Sequence, residues 1–300
     1  MRGYVAPTDL SWFDFLAAQS SIDEVNFWRP SGAGFKALRP QEPFFFKLKA
    51  PRNAIGGYGF YARTDRLPLW LAWETFGMVN GVPDQLALLA RVNANRKEPA
   101  SLATQIGCIS LVGARFFKPD DYVDVPRDWS SPIVAGKGYD LTHGEGLRVW
   151  QQCLERSVLT DSPIEAARYG TPHLVAPRLG QGSFRLAVYE AYEQACAVTG
   201  EHSLPVLEAA HIKPYAIGGA HAVSNGLPLR RDLHRLFDLG YVSFSPDLTF
   251  MVSDSLRIEY DNGKAYYDMA GRPLRVPDRR EQQPDEEHLA WHRETVYRVG

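Results

Sequence analysis

The stretch LEAAHIKPYAIGGAHAVSNGLPLRRDLHRLFDLG, beginning at Leu207, constrains this chain more tightly than any other. A short apolar run ends in His211, a loop rich in Gly and Pro follows, and Asn225 precedes Gly226 in a turn-forming pair. Taking residues 207–212 as a strand, 213–226 as a long loop and 229–238 as a short helix gives a ββα arrangement. It sets His211 on a strand opposite His234 on a helix, with Asn225 bracing the connection.

Hydrolysis of a phosphodiester needs little more than such a frame provides. A base must take a proton from water, a cation must meet the charge developing on the phosphate and leaving oxygen, and something must aim the base. A neutral histidine, with an ordinary pKa of about 6.5, suits the first task. A second histidine can offer a lone pair to a divalent metal. Asp238 lies four residues beyond His234, on the same helical face, and can add an oxygen ligand. Lys213, Arg230, Arg231 and Arg235 are placed to hold a DNA backbone in register.

At these residues the chain resembles the HNH endonucleases. The likeness rests on CAVTG at 196–200, on LEAAHIKPY, on the Asn225-Gly-Leu turn and on RRDLHRLFDLG. The separations, fourteen residues from His211 to Asn225 and nine from there to His234, fit the His-Asn-His pattern. The resemblance spans residues 180–260. It implies that His211 is the general base, that Asn225 holds the loop so that the base is oriented, and that His234 binds the metal. It also implies a divalent cofactor, Mg²⁺ or Mn²⁺, with Co²⁺ and Ni²⁺ as further choices.

Two departures stand out. Many HNH enzymes carry an acidic residue or histidine just before the base, and here that position is Ala210. Glu208, on the same strand face, or Asp238 is then the substitute ligand; each also reads as an ordinary surface ion-pair partner. Zinc-braced relatives flank the motif with CxxC pairs, whereas Cys108, Cys153 and Cys196 are widely spaced, so no structural zinc is expected. His221, in the Gly-rich loop, reads as solvated.

A net charge of −2 excludes a protein that coats nucleic acid indiscriminately, but not a local basic face. Between Arg29 and Arg66 eight Arg or Lys stand against Glu42 and Asp65, an excess of +6. No apolar run approaches the roughly 20 residues of a membrane crossing. The N-terminus MRGYVAPTDLSWFD lacks a signal-peptide core, so a cytoplasmic protein is expected.

The first part of the chain reads as short strands with helices between: a helix capped by Thr8 or Asp9, strands within 42–50, 53–63 and 106–117, and helices in LPLWLAWETFG and PDQLALLARVN. FKALRPQEPFFFKLKAPRNAIGGYGFYA resembles the core of PUA-superfamily domains, in particular EVE-like modules. That resemblance covers residues 4–140 and implies a small β-barrel with flanking helices, some members of which bind a modified base flipped out of duplex DNA. A flipped base wants an aromatic sandwich and edge-reading donors. Trp28, Phe35, Tyr58 and Tyr61 are candidates, with Arg29 and Lys36, and also Lys49 and Arg52, for phosphates; each aromatic reads equally as core.

The expected fold is therefore α+β: an N-terminal PUA-like β-barrel over 1–142, a bridging helix and linker over 143–182, and a C-terminal ββα-metal (HNH) nuclease domain over 183–300. The expected function is metal-dependent DNA cleavage in modification-dependent restriction, with double-stranded DNA carrying modified cytosine as partner. One site per chain makes a homodimer the natural way to cut both strands. The alternatives are a nucleic-acid-binding module with an inactive site, suggested by Ala210, and an RNA-directed nuclease. Beyond Gly240 the segments YVSFSP, LTFMVS, LRIEY and AYYDM alternate like strands, and PDEEHLAWHRETVYRV starts like a helix.

Overall fold

A computed structural model of the chain describes residues 1–20, 22–130, 133, 135–160 and 180–299. Two compact units emerge, Met1–Gly182 and Ser183–Gly300.

The first unit is built on strands β1 (Arg2–Thr8), β2 (Glu24–Arg29), β3 (Pro43–Leu48), β4 (Ala54–Pro68), β5 (Gln105–Phe116), β6 (Val123–Asp124) and β7 (Lys137–Asp140). Its helices are α1 (Leu10–Ala17), α2 (Leu69–Phe76), α3 (Gln85–Ala94) and α4 (Gly144–Thr160). The strands form one sheet in the order β2-β5-β4-β3-β1-β7, with β6 paired to β4 off that path. Only β1 and β3 run parallel among these pairs. The closed barrel expected from the sequence is not formed: the sheet is open, and β2 and β7 end its path on opposite sides. Closure needs end strands that meet in register. Here β7 covers four residues and, among the described residues, pairs with β1 alone.

Both faces of the sheet are covered, which explains why PFFFKL is buried without alternation. Phe44, Phe46 and Leu48 pack with Phe13 and Leu16 of α1, whereas Phe45 turns to the other face, against Tyr58, Trp150 and Cys153. Asp9 caps α1 by accepting from the backbone of Ser11 and Trp12. A Cβ on Gly57 would sit 2.0 Å from the Arg115 carbonyl oxygen, so the β4–β5 approach there requires glycine. The bridging helix expected within 143–182 is α4, and its Trp150 ring meets Tyr58 edge-on at 5.3 Å, within the first unit. The expected linker lies mostly outside the described residues, since 161–179 are not among them.

The second unit contains α5 (Gln181–Ala191, from Ser183 onward), β8 (Leu207–His211), β9 (Gly226–Arg230), α6 (Arg231–Asp238), β10 (Val242–Phe244), β11 (Phe250–Val252), α7 (Ser255–Tyr260), α8 (Lys264–Tyr267) and α9 (Glu286–Thr295). Three expectations need correction. Ser183, which precedes Phe184, Val188, Tyr192 and Cys196 at four-residue spacing and so reads as a helix cap, instead lies inside α5, fully buried. The helix bearing His234 starts at Arg231, because Gly226–Arg230 pairs with β8 as a strand. LRIEY and AYYDM are helical turns: Leu256 is buried while Ile258, two residues on, is exposed, whereas a strand would turn both to one face. No described helix is long and apolar enough to cross a membrane.

His292 of α9 is buried flat against Phe237, with ring centroids 3.6 Å apart. Its Nε2 faces the Phe237 carbonyl oxygen and its Nδ1 the Ser243 hydroxyl, both at 3.0 Å. Burial pushes its pKa down to about 4. The folded protein therefore keeps this ring neutral at pH values where the unfolded chain already takes up a proton. Stability is fully present above about pH 6.5 and is lost as pH falls toward 4, by up to about 3 kcal/mol from this group. Urea denaturation across that window should show the loss, and His292→Gln should flatten it even though the variant is less stable at pH 8.

Candidate active site

The centre is assembled by the β8–β9 hairpin and the helix that follows it. The register sets His211 opposite Gly226 and Glu208 opposite Leu229. Leu207 and Ala210 bury into the core with Leu227, Leu229, Leu233 and Phe237. That inward packing leaves Glu208, His211 and His234 half-buried at the surface of the unit. Ala210 is completely buried, so a larger ligating side chain would have no space there.

His211 ends β8 and stacks on Phe184 of α5, centroids 4.1 Å apart and planes 15° from parallel. Burial, with the nearby His221 and His234, lowers its pKa to about 4, so the ring is neutral at pH 7. Its Nε2 lies 3.0 Å from Nδ1 of His221. His221 is thus not solvated as the sequence suggested. It is half-buried, and the ring of Tyr215 stacks on it at 4.4 Å and 9°. Spacing alone did not reveal this pair; the Gly218-Gly219 step that folds the loop back was the available signal.

Asn225 is fully buried and uses its whole amide. Its Oδ1 accepts from the Lys213 backbone N–H at 2.9 Å, while its Nδ2 donates to the carbonyls of Lys213 and Ala220 at 2.9 and 3.0 Å. One side chain therefore ties the exit of β8 to the part of the loop that carries His221. Gly219 fits beneath it, where a Cβ would lie 1.9 Å from the Lys213 oxygen.

On α6, the two ring nitrogens of His234 have different neighbours. Nδ1 lies 2.7 Å from Glu208 Oε2, and Nε2 lies 3.5 Å from Asp238 Oδ2. Glu208 Oε1 is also 3.3 Å from Arg231. The carboxylate that was expected to help hold a metal thus occupies the far nitrogen of His234 and fixes the ring, leaving Nε2 and Asp238 facing one another. Burial raises the Asp238 pKa above the usual carboxylate value. Among the described residues no cluster of three or more His, Cys, Asp or Glu has metal-holding geometry. The imidazole nitrogen and the partly exposed carboxylate offer a divalent cation one nitrogen and one oxygen donor, with water left to complete its shell.

The cations divide. Arg230 forms a bidentate ion pair with Asp232, and Lys213 Nζ lies 5.9 Å above the Trp291 ring. Arg231 and Arg235 are exposed, one helical turn apart.

The profile of the HNH endonuclease family HNH_2 matches residues 196–245. The matched segment is an HNH endonuclease domain. The domain spans β8, β9, α6 and β10, so the match encloses all three residues of the His-Asn-His pattern and makes the chain a nuclease. No curated protein matches the chain. Among solved structures, a mutant of the ASCH protein ZmASCH from Zymomonas mobilis is similar at TM-score 0.35 and 7% identity, over 53% of this chain and 99% of that one. A modification-dependent restriction endonuclease, TagI, is similar at TM-score 0.34 and 16% identity, over 98% of this chain and 82% of that one.

The four aromatics expected to sandwich a base are not brought together. Phe35 and Tyr61 are buried in the core on the α1 side of the sheet, 5.5 Å apart, while Tyr58 is buried in the core on the α4 side. Half-buried Trp28 donates through Nε1 to the Asn80 carbonyl. Arg29 lies over the Phe35 ring at 5.3 Å, and Lys36 beside it is exposed. Lys49 is exposed as well, and Arg52 is paired with Asp14.

Proposed function

We propose that this chain is a metal-dependent DNA endonuclease of a modification-dependent restriction system, with His211 as general base. The observation that supports the reading most strongly is the neutral His211 ring, held against Phe184 at the end of β8 in the same hairpin–helix frame as the His234–Asp238 pair. A base must be neutral to accept a proton, and burial keeps it so at physiological pH.

His234 Nε2 and Asp238 would hold the cation, Glu208 keeps the His234 ring in the required tautomer, and Asn225 holds the backbone on which the base is carried. When bound, a divalent cation there supplies positive charge to the phosphate and the leaving oxygen. Arg231 and Arg235, and the ammonium of Lys213, would meet backbone phosphates. Water gives its proton to His211 as it attacks phosphorus in line with the departing oxygen.

The N-terminal unit is the selector in this reading, consistent with the basic excess between Arg29 and Arg66. Its candidate contact residues are Arg29, which lies over the buried Phe35 ring, and the exposed Lys36, with a modified cytosine as the base read. The test is to digest duplex DNAs carrying unmodified, methylated, hydroxymethylated and glucosylated cytosine with the purified chain, alongside RNA of matched length. Cleavage confined to one class of modified DNA is the expected result. Equal cleavage of every DNA would remove the selector and leave the nuclease, and preferential cutting of RNA would replace the substrate.

A further inference from the structure

His221 touches His211, and nothing in the proposed chemistry has yet used it. Resting on the reading of His211 as base, we infer that His221 is a positioning residue: its Nδ1 accepts the Nε2–H of His211, which leaves the His211 lone pair on Nδ1 to take the proton from water.

Only one of the two facing nitrogens can carry the shared hydrogen at their 3.0 Å separation. If His221 donated, a neutral His211 would carry its own hydrogen on Nδ1 and would have no lone pair left outside the pair. A working base therefore requires His211 to be the donor. Once Nδ1 has taken up a proton, the same contact becomes a charge-assisted hydrogen bond from the imidazolium, so it strengthens as the reaction proceeds.

The two rings are held for this task from both outer faces. Phe184 stacks on His211 and Tyr215 stacks on His221, while the histidine planes meet at 60° with centroids 5.1 Å apart. The backbone is fixed as well: Asn225 clamps Lys213, two residues past His211, and Ala220, immediately before His221. One buried amide thus sets the position of both imidazoles. Asn225 then orients the base twice, through the strand end and through the loop that brings the acceptor.

The test is long-range ¹H–¹⁵N NMR of the histidine rings in the full chain at pH 7, combined with single-turnover cleavage of a cleavable duplex. Wild-type His211, assigned by its absence in His211→Ala, should be the Nε2–H tautomer. His221→Ala should shift it toward Nδ1–H and lower the single-turnover rate constant about 10- to 100-fold with little change in the half-saturating concentration. His221→Asn, whose side-chain oxygen can stand near the place of Nδ1, should recover part of both. An Nδ1–H tautomer for His211 in the wild type would overturn the inference, as would a His221→Ala protein of wild-type rate or a His221→Asn variant no better than His221→Ala. A His211→Ala protein that still cuts would overturn the base assignment itself, and the inference with it.

Discussion

His211→Ala will lower the rate of DNA cleavage by about a hundred- to ten-thousandfold, the range a positioned general base contributes, while the fold survives. The two halves of that expectation have separate causes. The rate falls because the lone pair is lost with the ring, and His234 is turned toward Glu208 and Asp238. The fold survives because β8 is anchored by Leu207 and Ala210, both fully buried, and by its pairing with β9. Loss of the Phe184 stack removes one contact from a half-buried ring. Circular dichroism and urea denaturation should therefore place His211→Ala near the wild type. A variant that is folded and cuts at the wild-type rate would show that the base is elsewhere.

The pH dependence follows from the same burial. With a pKa held near 4, His211 is neutral throughout the neutral range and becomes protonated only as pH falls through about 4. The activity attributable to the base should thus be flat down to about pH 5 and fall below it, without the drop near 6.5 of a solvated histidine.

Asn225→Ala should cost about 2–5 kcal/mol of stability and depress cleavage even at temperatures where the protein is folded. Alanine would leave the Lys213 N–H and the carbonyls of Lys213 and Ala220 without the partners they now have at 2.9–3.0 Å. Each polar group stranded out of water costs roughly 1–3 kcal/mol, and water entering the loop recovers some of it. Asn225→Asp is the sharper variant. It keeps the acceptor for Lys213 N–H but sets a carboxylate oxygen against two carbonyl oxygens, so it should be no better than alanine. Urea denaturation of both variants, with rates corrected for the folded fraction, is the measurement. A stability within about 0.5 kcal/mol of wild type would mean that the amide does not brace the loop.

The nuclease frame was legible in the sequence because its chemistry is local. His211, Asn225 and His234 fall within one short stretch whose apolar residues pack into a single core, so their spacing and the resemblance to the HNH endonucleases together carry the frame. The second strand was harder to see. Gly226–Arg230 contains Pro228 and runs straight into the helix, and its pairing with β8 is a tertiary fact that residue preferences do not record. His221 differs from its expected solvated state for a related reason: a Gly-rich loop signals a turn, but not that the turn folds back onto the base.

In the first unit the strands at Pro43–Leu48, Ala54–Pro68 and Gln105–Phe116 were visible as apolar runs. That the sheet stays open was not, because this depends on the edges: β7 is four residues of KGYD, and no periodicity announces its partner. Exposure was the other quantity hidden from the sequence. Phe35, Tyr58 and Tyr61 look alike on paper, yet they divide between two cores on opposite faces of one sheet.

The central claim is metal-dependent phosphodiester hydrolysis at the HNH domain. Its most direct measurement is cleavage of modified supercoiled plasmid by the full chain in Mg²⁺, Mn²⁺, Co²⁺, Ni²⁺ or EDTA, with His211→Ala run beside it. Nicked and linear products in at least one metal, none in EDTA and none with His211→Ala are the predicted result. Intact plasmid in every metal, or equal cutting in EDTA, would contradict it.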